Sequence, residues 1–132
     1  MTLKVGDILR FNYLWAREAE QGEESGRKAR PVCLIVRTAS DPANLFLLPL
    51  TSKQPAHKRA ALLVPEMECR RAGLQTPCWI ILDEYNFVAM DVAYDFESLR
   101  PIGSFAAAFL QQVASRLKAE ATARRLKRVM RR

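Results

Sequence analysis

The sequence predicts a domain that is mainly β with added α: a small antiparallel β-barrel or half-open sandwich carrying one C-terminal helix. Three observations lead there. About six short apolar runs follow one another at short intervals, each bounded by turn-forming residues. No helix-period stretch between them is long enough to join parallel neighbours. Near the end of the chain, one apolar stripe recurs every four residues. With 132 residues, 49% of them hydrophobic, the chain is long enough for one domain with a core and too short for two.

The first strand runs from Ile8 to Trp15, entered through Gly6-Asp7, with Arg10 and Asn12 between its large apolar residues. Residues 16–29 read as a polar loop with Gly22 and Gly26 for tight backbone excursions. Pro31 opens a second strand through Val36; lacking an N–H, it fits a first or edge position. After a turn at 40–44, Leu45 to Leu50 is the third strand, closed by Pro49-Leu50-Thr51-Ser52. Residues 53–59 form a second polar loop, and Ala60 to Val64 a fourth strand. Residues 65–73 suit irregular structure or one helical turn. Cys78 to Leu82 and Phe87 to Val92 are strands flanking an Asp83-Glu84-Tyr85-Asn86 turn. Ser104 is placed to cap a helix whose stripe is Phe105, Phe109, Val113 and Leu117. Residues 1–118 thus make the domain, and 119–132 a basic extension that is solvated or covered by a partner.

The net charge of +7 is unevenly placed. Residues 116–132 carry eight basic side chains against Glu120 alone, so the first 115 residues are neutral. A polyanionic partner is suggested for the tail rather than for the fold. Cys33, Cys69 and Cys78 are odd in number and form no C-x-x-C pair, and His57 is the one histidine. That excludes a disulfide framework and a zinc site from the expectations; no metal or cofactor is expected. The N-terminus alternates and carries Asp7 and Arg10, unlike a signal peptide or membrane span, so a cytoplasmic protein with no membrane partner is expected.

Three stretches carry the chemistry: Gly6-Asp7-Ile8, then G-E-E-x-G-R-K-x-R-P-V at 22–32, then P-L-T-S at 49–52. With Ala72-Gly73-Leu74 and Ile102-Gly103 further on, the chain resembles, from about Gly6 to Leu117, the MazF/PemK family of toxins. These are the toxin halves of bacterial type II toxin–antitoxin pairs. The resemblance implies an SH3-like barrel with a C-terminal helix, a homodimer, and a cognate antitoxin protein. It implies metal-independent, sequence-specific cleavage of single-stranded RNA, with growth inhibition as the outcome.

Such cleavage requires deprotonation of a ribose 2′-OH, stabilisation of the phosphorane, and protonation of the leaving 5′-oxygen. Arg30 matches the arginine of R-P-V, and its fork of donors suits two phosphate oxygens. Thr51 matches the threonine of P-L-T-S, with Ser52 beside it. Glu23, or Glu24, matches the acidic position of the G-E segment and is the candidate carboxylate base; Arg27 is a candidate acid. His57 lies in the loop after P-L-T-S. Lys28, Lys53 and Trp15, the last at the lip of the 16–29 loop as a base-stacking candidate, complete the expected substrate-binding set with Ser52, His57 and Arg27. Trp79 reads as core. Asp83-Glu84 and Asp91/Asp95 read as turn and rim residues rather than a metal set. Two other readings stay open: a non-catalytic RNA- or protein-binding module, and a CcdB-type gyrase inhibitor.

Overall fold

The computed structural model of the chain describes residues 3–24, 26–92 and 96–131; Asp95 lies outside them. Eight strands form one mainly antiparallel sheet. They are β1 (Asp7–Phe11), β2 (Arg30–Arg37), β3 (Asn44–Thr51), β4 (Ala61–Leu63), β5 (Trp79–Ile81), β6 (Glu84–Ala89), β7 (Gly103–Ser104) and β8 (Lys127–Met130). The helices are α1 (Ala16–Glu20), α2 (Glu66–Ala72) and α3 (Ala107–Thr122), with a 3-10 turn at Met90–Val92. None of the described helices is long and apolar enough to cross a membrane.

The central strand β3 explains the layout. One edge pairs with β2 along most of its length. The other edge is divided: Asn44 to Leu47 pair with β6, and Leu50 and Thr51 with β5. Thr51 therefore ends a strand held on two sides, a rigid root for whatever follows it.

Both faces of the sheet are buried, which is why β2 reads as an unbroken apolar run rather than an alternating one. Ile8, Cys33, Ile35, Leu48, Leu50 and Ile80 face a cluster covered by α2 and α3. Their neighbours Leu9, Val32, Leu34, Leu47 and Ile81 face a second cluster capped by Tyr13, Trp15 and Phe96. A register shift between Leu34 and Val36 lets β2 bend over β3.

The glycine motifs turn out to be packing devices. Gly6, at φ +97°, lies so close to Leu110 that an added Cβ would sit 2.5 Å from its Cδ1. Its carbonyl accepts from the Phe105 amide, fixing the approach to α3. At Gly103 a Cβ would overlap the backbone of Ala72. Gly73 ends α2 in the left-handed conformation at φ 71°, its usual role after a helix.

Several boundaries differ from the sequence reading. The first strand stops at Phe11, and the 16–29 loop contains α1, whose Glu18 carboxylate accepts from the Trp15 amide. Residues 66–72 make a full short helix. Glu84, Tyr85 and Asn86 belong to β6 rather than to a turn, and β5 and β6 pair with other strands rather than with each other. Ser104 lies in β7, and α3 starts after Ala106. The stripe Phe105, Phe109 and Val113 is buried against the sheet.

The largest correction concerns the tail. Residues 127–130 are not a solvated extension; they form β8, parallel to β6. Helix α3 supplies the crossover that a parallel pair requires. Val129 packs with Leu14 and Ala16. Arg128 donates to the Tyr85 hydroxyl at 2.8 Å and lies over the Phe87 ring. Arg131 is buried, donating to the Asn12 carbonyl at 2.7 Å and to Asn86 Oδ1 at 3.3 Å. Arg128 and Arg131, two of the eight basic residues of the tail, thus take part in the fold.

Candidate functional site

Strands β2 and β3 deliver Arg30 and Thr51 to the same end of the sheet: Arg30 opens one strand and Thr51 closes its antiparallel neighbour. A cleft of about 800 Å³ lies there. Of the residues singled out from sequence, Arg30, Thr51, Ser52, Lys53, Lys28 and Trp15 all line it. Arg17 and Arg59 join them, giving five cationic side chains on one cleft. No carboxylate or imidazole lines it among the described residues.

Arg30 is half-buried, its guanidinium 4.9 Å from the centre of the Trp15 ring. Its Nε is buried with no hydrogen-bond partner among the described residues. Burial pulls the Arg30 guanidinium below its ordinary range, against the pull of Glu18 and together with the neighbouring Arg17. An arginine placed this way has donors in hand for an anion and a flat surface fixing its plane.

Trp15 is a platform for cations rather than an open stacking surface. The residue is only 7% exposed. Arg17 at 5.0 Å and Arg59 at 5.9 Å join Arg30 about its ring. The expectation that it stacks a base is therefore corrected: its ring carries arginines.

Thr51 is half-buried. Its Oγ1 accepts from the Lys53 amide at 3.1 Å and donates to the Lys53 carbonyl at 3.5 Å, local bonds that hold the hydroxyl at the strand end. Ser52 and Lys53 are exposed beside it.

Four expected residues, Glu23, Glu24, Arg27 and His57, do not line the cleft. Glu23 and Arg27 pair with each other, Arg27 donating to both Glu23 oxygens at 2.9 and 3.1 Å, with Glu18 3.5 Å from its Nε. The hydrogen bonds that Arg27 donates to Glu23 raise its pKa, so it is no readier as an acid. Glu23 and Glu24 border a separate depression with Leu14, Ala19 and Met130. The reason is local: Glu23 and Arg27 are four positions apart and pair with each other. His57 is exposed in the 53–59 loop and does not line the cleft. In the 16–29 segment, Gly26 packs close to the backbone of residues 12–13: a Cβ there would fall 2.3 Å from the Tyr13 carbonyl oxygen.

Arg17 and Arg59 were not anticipated. Arg59 repeats the Arg30 pattern, a basic residue at the end of a polar loop just before an apolar strand, and that signal was readable. Its environment is the opposite. Asp83 accepts from its Nε at 3.0 Å and Glu84 from its terminal nitrogen at 2.9 Å. The hydrogen bond to Asp83, with the charges of both acids, raises its pKa despite burial. Glu84 Oε1 also accepts from the Tyr13 hydroxyl at 3.1 Å and the Ala16 amide at 2.9 Å. Two residues on, Asn86 takes both backbone groups of Leu14, accepting at 2.9 Å and donating at 2.7 Å. Strand β6 therefore clamps residues 13–16 and so sets Trp15 and α1 in place. Asp83 and Glu84 serve this clamp, Glu84 from within β6 rather than from the turn expected of it.

A second cavity of about 330 Å³ lies across Thr51 and Ser52, which line both. A third, of about 380 Å³, is an apolar groove between α3 and the sheet.

No model of a known protein family matches the chain, and a search of curated proteins finds no relative.

Proposed function

We propose that this protein is a metal-independent endoribonuclease of the MazF/PemK toxin type, built on an SH3-like barrel and acting on single-stranded RNA in the cytoplasm. One observation carries the reading: Arg30 shares with Thr51, Ser52, Lys53 and Lys28 a cationic cleft that no carboxylate among the described residues lines. Arg30 of R-P-V and Thr51 of P-L-T-S, about 20 positions apart in the chain, both line that cleft.

In this reading a phosphodiester enters between Arg30 and the 51–53 turn. Arg30 holds two non-bridging oxygens, and its charge counts most when the phosphorane carries two negative charges. Lys28 and Lys53 hold the flanking phosphates, and Arg17 adds to the potential. The Thr51 hydroxyl and the Ser52 hydroxyl orient the phosphate for in-line attack by the adjacent 2′-OH. The Arg30 guanidinium meets the charge that develops on the departing 5′-oxygen, and solvent water supplies the proton that oxygen takes up. Glu23 has no part, being outside the cleft. Rate enhancement then comes from positioning and charge stabilisation, with solvent hydroxide taking the 2′ proton. A homodimer and an antitoxin whose acidic segment fills the cleft belong to the same proposal.

The lack of a lining carboxylate or imidazole favours one alternative, a module on this barrel that binds RNA without cutting it. Incubation of a long single-stranded RNA with the protein in EDTA separates them. Discrete fragments ending in 2′,3′-cyclic phosphate, absent with Thr51→Val, are expected. Intact RNA with salt-sensitive binding would select the binding module.

A further inference from the structure

Thr51 and Ser52 stand between two cavities, and the proposed chemistry uses only the cationic one. The second has a different character. Its rim holds Arg10, the guanidinium of which is set in place by the Ala29 carbonyl at 3.1 Å and Glu97 at 3.3 Å. Leu74 and the exposed Ile102 give it apolar walls. Gly73 presents bare backbone, so a flat ring can approach the main chain closely. Gln75 lies at its edge, exposed, with no hydrogen bond from its amide to any described residue. A site with apolar walls, a planar cation and one free carboxamide has the chemistry of a nucleobase pocket: faces to stack on, and an adjacent donor and acceptor to match a base edge. At about 330 Å³ it is within the range of small-ligand sites.

We propose that this cavity receives the nucleobase adjoining the phosphate held at Arg30, and that Gln75 reads its hydrogen-bonding edge. The inference rests on the nuclease reading for which phosphate is meant, but the pocket stands or falls separately. The shared wall fixes the geometry. A backbone crossing Thr51–Ser52 leaves its phosphate on the cationic side and turns one base into the other cavity. Base selectivity is then a property of the Gly73–Gln75 turn after α2, not of the residues around Arg30.

The test uses the full chain and the four nucleoside 3′-monophosphates at millimolar concentration, followed by amide NMR. Shifts at Gln75, Leu74 and Thr51 are expected, with one base preferred by about tenfold, the worth of one good carboxamide pairing. Gln75→Ala, a surface change that leaves the core untouched, should remove the preference while phosphate-induced shifts near Arg30 persist. Equal responses to all four bases, or no response at Gln75, would overturn the pocket. RNA cleavage reads independently. If the wild type cuts, Gln75→Ala should relax the sequence at the cut sites, and an unchanged cut pattern contradicts the proposal. Base-selective shifts with uncut RNA would keep the pocket and sink the nuclease instead.

Discussion

Two arginines flank the same tryptophan, and the contrast between them divides the molecule. Arg59 is held by Asp83 and Glu84, and its partners in turn hold Tyr13 and the start of α1. Arg30 has the ring of Trp15 and no hydrogen-bond partner for its buried Nε among the described residues. Their pKa values move in opposite directions, Arg59 up through its hydrogen bond to Asp83 and Arg30 down through burial. A charge that is fully paired stabilises the fold and offers little to a ligand. A charge with no paired acid is open to an incoming phosphate, which the terminal nitrogens of Arg30 would meet. The β6 side of Trp15 is therefore the scaffold, and the β2–β3 side is the working surface.

The contrast can be broken first on the scaffold. Asn86→Leu strips both backbone groups of Leu14 of their partner and removes an acceptor from Arg131. It should cost about 4 kcal/mol, read as a lowered midpoint in urea unfolding. Arg59→Met leaves the nearly buried Glu84 carboxylate without its cation and should cost about 2–3 kcal/mol; a midpoint equal to wild type would mean the clamp is not what holds Trp15.

The working surface should respond in activity and binding instead. With no residue base lining the cleft, the cleavage rate should climb about tenfold per pH unit across neutrality, and His57→Ala should leave that profile unchanged. A plateau or bell near neutral pH would restore a side-chain base. The smallest effects belong to the flanking lysines. Lys28→Ala and Lys53→Ala should each reduce the slope of log affinity against log salt by about 0.7, with no change in unfolding midpoint.

How much of this was legible in the sequence depends on the range of the interaction. The strands were readable because apolar runs bounded by turns report burial directly, and β2 and β3 announced themselves. Arg30 and Thr51 came from the resemblance, through R-P-V and P-L-T-S, and they share a sheet end because β2 and β3 are antiparallel neighbours. Glu23 and Arg27 misled because nothing in their residue types distinguishes a catalytic pair from one that closes on itself. The Arg59 clamp depends on partners 24 and 25 positions away, beyond local pattern. Strand β8 was missed because Lys127-Arg128-Val129-Met130 has one buried residue among exposed ones, and its pairing appears only once α3 carries the chain back to β6.

The central claim is that Arg30 is held ready for phosphate and contributes little to the fold. It is tested most directly by measuring single-turnover cleavage of a defined single-stranded RNA in EDTA by Arg30→Met, alongside its thermal unfolding. The account predicts a rate lower by about 10²–10³-fold, the worth of one lost transition-state donor, with stability within about 1 kcal/mol of wild type. Cleavage at the full rate, or a loss of stability as large as that of Arg59→Met, would contradict it.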